Sequence, residues 1–246
     1  MPRSKRSGLV PALLAASTLC GVAAASPASA ASPLTVLGDS YSIPVHDGTR
    51  DWPAQLRDRG AVGQVHDFAK SGAIAATIGA NTLARQVRLW NAAGRPRGDT
   101  VVYLGYNDID GRQSLAPSQA GYRAGVDALV RGGATSPGNR LFLVLPHDVG
   151  GTPLHNRSAA ERSFYRDRTR QWDGFVRSVA AGAHATVIDV FSRIDGVLAH
   201  PGAAGFTNVT TADPAHSGTT ALYRDPFHFG LHGETILAET IGARLR

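Results

Sequence analysis

The chain has 246 residues, 43% of them hydrophobic and 18% charged, with one cysteine and a formal net charge of +6. Its basic residues stand singly among acids, as in RSFYRDRTRQWD, so no basic stripe suited to nucleic acid is present. A chain of this size can bury one core of its own, and a lone cysteine rules out an intrachain disulfide or a cysteine metal cluster.

The first thirty residues read as an export signal. Arg3, Lys5 and Arg6 precede the apolar run LVPALLAASTLCGVAAA, and Ala28-Ser29-Ala30 supplies small residues for cleavage. The run is too short for a stable membrane span, so the expected product is a secreted protein without membrane insertion. Cys20 lies in the discarded segment, and Leu19 before it is larger than a lipid-attachment site needs. All three basic residues leave with residues 1–30 and no acid does, which leaves 31–246 as one domain with a charge of about +3.

Five short apolar runs follow: LTVLG (34–38), QVHDFA (64–69), VVYLG (101–105), LFLVL (141–145) and TVIDVF (186–191). Four of them lack strict alternation, as strands buried on both faces do. Helical spacing falls between them. Val87, Leu89 and Trp90 mark one stripe, and Trp172, Phe175, Val176 and Val179 mark another. GETILAETIGARLR reads as a closing helix, and the Gly/Pro/Ser/Thr-rich stretch 200–224 reads as a loop near the active face. Strands alternating with helices predict a parallel sheet covered on both sides, with ligands beyond the carboxyl ends of its strands.

The polar blocks sit at those ends. Run one stops at Gly38-Asp39-Ser40, run two is followed by Ser71-Gly72, and run three by Tyr106-Asn107-Asp108. RDPFHFGLHGE, just before the last helix, holds Asp225 and His228 three residues apart. A serine, a histidine beside a carboxylate and separate amide donors are the parts of acyl transfer. Taken alone, Ser40 also fits an ordinary turn hydroxyl, and Asn107 and Gly72 ordinary turn-formers. Asp39 reads as a brace for the turn.

These blocks, in this order, resemble the GDSL family of the SGNH hydrolases over nearly all of 31–246. DWPAQL, LVLPHDVGGTP and HPGAAGFTNVT are similar to its lipase-like bacterial branch. The resemblance implies an α/β, flavodoxin-like three-layer sandwich with a central five-stranded parallel sheet. It implies Ser40 as nucleophile, His228 as base with Asp225 behind it, and an oxyanion hole formed by the N–H groups of Ser40 and Gly72 and the amide of Asn107. The expected activity is ester hydrolysis through a seryl acyl-enzyme on a small-molecule or lipid ester, phospholipids included, by a monomer with no cofactor and no metal. A carbohydrate acetyl-esterase, an acyltransferase and an inactive binding protein are the alternatives. HFGLHGE departs from the family's more usual HPT, with Glu234 where a histidine is common and where it could alter the pocket wall.

Asp213 and His216 repeat the spacing of Asp225 and His228 and stand as the second candidate pair, with His232 as a third histidine. His46-Asp47 and His147-Asp148 lack further ligands at metal-site spacing and read as loop residues. Tyr106 either touches substrate or packs beneath the rim.

Overall fold

The computed structural model describes residues 31–44, 50–152, 157–200, 222–223 and 228–246. Five parallel strands, β1 (Leu34–Gly38), β2 (Val65–Asp67), β3 (Asp99–Tyr103), β4 (Arg140–Leu145) and β5 (Thr186–Asp189), form one sheet in the order β2-β1-β3-β4-β5. This is the flavodoxin-like order, reversing direction at β1. Helices α1 (Trp52–Asp58), α6 (Val190–Ala199) and α7 (Leu231–Leu245) pack together, and α2 (Leu83–Ala92), α4 (Ala116–Arg131) and α5 (Ala159–Ala183) form a second connected group. The two groups cover the sheet and give the expected three layers. A one-turn helix, α3 (Tyr106–Asp110), sits at the rim.

The continuous apolar runs have a direct cause. β1 and β3 are buried at every residue, and β4 is buried beyond Arg140, whereas the edge strands β2 and β5 are partly exposed. Arg140 and Asp99 pair in register at the start of β4 and β3. Arg140 Nε and Nη2 donate to the two carboxylate oxygens of Asp99, each at 2.7 Å, and Nη2 also donates to the carbonyl of Leu245 at the end of α7. The amino edge of the sheet is thereby tied to its last helix.

Local chemistry moves several element ends from their predicted places. The run 186–191 breaks at Asp189, whose side chain accepts from Ser192 N at 2.8 Å and caps α6. β3 runs from 99 to 103 rather than 101 to 105, because its pairing with β4 starts at Asp99 and Gly105 turns out of the ladder. Leu89 lies off the buried face of α2 and is half-exposed, while Val87 and Trp90 are buried. The closing helix and the α5 stripe of Trp172, Val176 and Val179 agree with expectation. DWPAQL forms α1, capped by Asp51, whose side chain accepts from Ala54 N at 2.9 Å. Glu234 is not among the described residues that line the cavity holding Ser40. It is buried, and its Oε2 accepts from Trp52 N at 2.9 Å, joining α7 to the first turn of α1. The stretch 200–224 lies outside the described residues apart from His200, Leu222 and Tyr223.

Gly105 joins β3 to α3 with φ +136°, and a Cβ there would stand 2.3 Å from Trp172 Nε1. Gly105→Ala therefore combines backbone strain with a clash against a packed indole. It should cost on the order of 3 kcal/mol in equilibrium denaturation.

Candidate active site

Three neighbouring strands deliver the rim groups. β1 ends at Gly38, and Ser40 opens the 3-10 turn Ser40–Ser42. Asp39 caps that turn, its side chain accepting from Tyr41 N at 3.0 Å, as the sequence suggests. Gln86 of α2 holds the end of β1 from both sides. Its Oε1 accepts from Gly38 N at 2.8 Å, and its Nε2 donates to Gly38 O at 2.7 Å. The loop after β2 is fastened to the same strand by Lys70 N, which donates to Gly38 O at 3.1 Å.

Gly72 follows with φ +67°, and among the described residues no atom beyond its chain neighbours lies within 4 Å of where its Cβ would be. Its left-handed backbone explains the glycine here. Beyond β3, α3 binds the loop that carries Gly72. Asn107 Nδ2 donates to Ala73 O at 2.9 Å, and Ala75 N donates to the buried carboxylate of Asp108 at 3.0 and 3.1 Å. The Asn107 amide nitrogen carries a second hydrogen besides the one given to Ala73.

His228 closes the group from the segment before α7, its Nε2 3.1 Å from Ser40 Oγ. Ser40, Tyr41, Ser71, Gly72, Tyr106, Asn107 and His228 line one cavity of about 230 Å³. Four residues far apart in sequence, Ser40, Gly72, Asn107 and His228, thus share one space. Asp225, like Asp213 and His216, lies outside the described residues. His232, in the first turn of α7, is not among the lining residues.

Behind the cavity is an aromatic floor centred on His147. This residue lies in the loop after β4, as expected, and it is fully buried. Its Nδ1 lies 3.2 Å from Tyr103 OH, and its ring packs against Tyr41 (4.5 Å), Phe229 (4.6 Å) and Tyr106 (5.3 Å). Burial, with His228 nearby, pushes its pKa down to about 3 and keeps it uncharged. Tyr106 both lines the cavity and packs beneath the rim, its hydroxyl 3.3 Å from Thr152 Oγ1. The signal for His147 was its place just past a central strand, where a side chain turns toward the rim. Among the described residues no cluster of three His, Cys, Asp or Glu side chains could hold a metal.

A nucleophile-and-base pair beside amide donors is one of several arrangements on this fold, so sequence comparison decides the family. The model of the GDSL-like Lipase/Acylhydrolase family matches residues 36–234. The chain belongs to that family. It is accordingly a carboxylic ester hydrolase. No curated protein matches it significantly in sequence.

Solved structures share the fold. An acetylxylan esterase from Geobacillus stearothermophilus is 18% identical with a TM-score of 0.57, covering 88% of this chain and 95% of its own. A lipolytic protein of the G-D-S-L family from Veillonella parvula is 13% identical, TM-score 0.53, with 85% and 96% covered. An alpha/beta hydrolase from the metagenome of Lake Arreo, Spain, is 21% identical, TM-score 0.52, with 88% and 95% covered. The matched region of the GDSL-like family runs from β1 into α7 and so takes in Ser40, Gly72, Asn107 and His228.

The turn that carries Ser40 has its own pH dependence. Burial raises the Asp39 carboxyl from 3.8 to about 7, with the nearby Asp108 adding to the shift. Between those values the unfolded chain gives up a proton that the folded chain keeps, so rising pH favours unfolding. Asp39→Asn removes this titration and keeps an oxygen to accept from Tyr41 N. Thermal melts across pH should show wild type losing stability relative to the variant from about pH 4 to 7, by a few kcal/mol at most, then levelling off. A constant difference would contradict it.

Proposed function

We propose that the chain is a secreted serine ester hydrolase that removes short acyl groups through a seryl acyl-enzyme. One observation carries the reading: His228 Nε2 lies 3.1 Å from Ser40 Oγ in a cavity that Gly72 and Asn107 also line. A serine hydroxyl becomes an effective nucleophile when a neighbouring imidazole takes its proton. Ser40 Oγ attacks the ester carbonyl carbon as His228 Nε2 accepts that proton. The carbonyl oxygen becomes an oxyanion held by the N–H groups of Ser40 and Gly72 and by Asn107 Nδ2. The intermediate collapses, the C–O bond to the alcohol breaks, and His228 returns the proton to the leaving oxygen. Water then attacks the acyl-enzyme with the same base, releasing the acid and restoring Ser40. Asp225 is assigned to orient the imidazole and stabilise its cation.

The acyl preference rests on the size of the site. About 230 Å³, backed by Tyr41 and Tyr106, falls below the roughly 300–1,000 Å³ of pockets that enclose drug-sized ligands, and it suits an acyl group of a few carbons. The same restriction keeps an acetylated carbohydrate in view, the class named for the Geobacillus neighbour. Lipid and phospholipid hydrolysis are the competing outcomes. Export rests on residues 1–30, and N-terminal sequencing of the secreted product should read from Ala31.

Ser40→Ala and His228→Ala should each lower ester turnover by on the order of 10⁴ with the fold intact, whereas His216→Ala should change it little. A reversed result for the two histidines would move the base to His216. In a panel of nitrophenyl esters, triglyceride, phospholipid and acetylated xylan, activity should fall as the acyl chain lengthens. Best activity on long-chain lipids would refute the short-acyl reading.

A further inference from the structure

The helix that carries Asn107 is held mainly from outside. α3 has five residues and no side-chain N-cap, and is closed by Ile109 N to Gly105 O at 2.9 Å and Gly111 N to Asn107 O at 3.2 Å. A single turn leaves most of its carbonyls without partners inside the helix and does not persist alone.

Arg168 of α5 supplies partners for two of those carbonyls, for the C-cap Gly111 and for the loop that follows. Its Nε donates to Ile109 O at 3.0 Å. Its Nη2 reaches Gly111 O at 2.6 Å, Gln113 O at 2.9 Å and, more weakly, Asp108 O at 3.3 Å. One turn earlier on α5, Phe164 lies under the guanidinium at 5.5 Å. One turn later, Trp172 packs against Gly105 at the other end of α3. Residues 164, 168 and 172 form one stripe at i, i+4, i+8, so a single face of α5 cradles both ends of α3. A cationic, planar fork suits this place, since it satisfies several carbonyls at a helix C-terminus at once.

We infer that Arg168 is a positioning residue for ester hydrolysis, fixing α3 so that the Asn107 amide stays aimed into the cavity. The inference rests on the reading of Asn107 as an oxyanion donor. Such a donor acts only when held within about 0.5 Å of its working place, and losing one costs on the order of 10²–10³ in rate. Partial release of α3 should cost a fraction of that, in the chemical step rather than in binding.

The test is a double-mutant cycle on Arg168→Lys and Asn107→Ala, assayed with nitrophenyl acetate alongside thermal melts. Lysine keeps the charge and loses the fork. Arg168→Lys should fold, lower kcat about tenfold with KM within about twofold, and have less than about a threefold effect on kcat in the Asn107→Ala background. The same factor in both backgrounds, an effect confined to KM, or loss of the folded state would overturn the inference and leave the Asn107 reading standing. If Asn107→Ala alone left kcat unchanged, the oxyanion reading itself would fail, and this inference with it.

Discussion

Parallel pairing of β2, β1 and β3 is the constraint on which the site depends. Neighbouring strands lie about 4.8 Å apart, so groups placed just past their carboxyl ends arrive within the span of one ester. The strand order reverses at β1, which leaves a crevice where the two halves of the fold part. Ser40 follows β1, Gly72 follows β2 and Asn107 follows β3. Leu34 pairs with both Val65 and Asp99, so the three strands start level; β3 ends level with β1 at Gly38↔Tyr103, and β2 ends two residues earlier, at Val36↔Asp67. Gln86 holds the last peptide of β1 through both its N–H and its C=O, which stops that end from fraying. Only His228 comes from elsewhere, and it reaches the rim from the segment that enters α7.

Around these groups the protein buries polar side chains and shifts them toward the uncharged form. Asp39 and His147 shift in opposite directions, the acid upward and the imidazole downward, for the same reason: a buried charge without a partner is costly. For His147 this has a chemical consequence. The proposed cycle passes through a protonated His228, and a second cation behind the same aromatic floor would oppose that state. A neutral His147 gives Tyr41 and Tyr106 a close-packed neighbour and adds no competing charge. Burial of the floor and reactivity at the rim therefore support each other.

The fold was legible where burial imposes a simple pattern. Strands covered on both faces must be apolar throughout, so β1 and β4 stand out in the sequence almost to the residue. The candidate site residues could be picked out for a related reason: a parallel sheet presents short polar blocks at strand ends, and Gly38-Asp39-Ser40, Ser71-Gly72 and Tyr106-Asn107 are such blocks. Element ends were harder, because Asp189 stops a strand by capping a helix and nothing in TVIDVF marks the change. Contacts between distant residues left no periodic trace. Arg168 lies 55–60 residues from the carbonyls it caps, and Glu234 lies 182 residues from Trp52. Each reads locally as one more charge on a helix. The surroundings of His147 likewise leave no local trace, because they are rings at positions 41, 103, 106 and 229.

One short helix carries both a wall of the cavity and the proposed oxyanion donor. Tyr106 and Asn107 are consecutive in α3, and both line the cavity. The Tyr106 hydroxyl is tied to Thr152, while the carbonyl end of the helix is tied to Arg168. Any substitution that deepens the cavity at 106 therefore loosens the helix that carries the proposed oxyanion donor. Tyr41, next to Ser40, imposes the same condition on the other wall. A wider acyl range on this scaffold is more readily reached through loops beyond the rim than through these tyrosines. Neighbours at 13–21% identity share the fold, and a fold alone does not set the walls of a site.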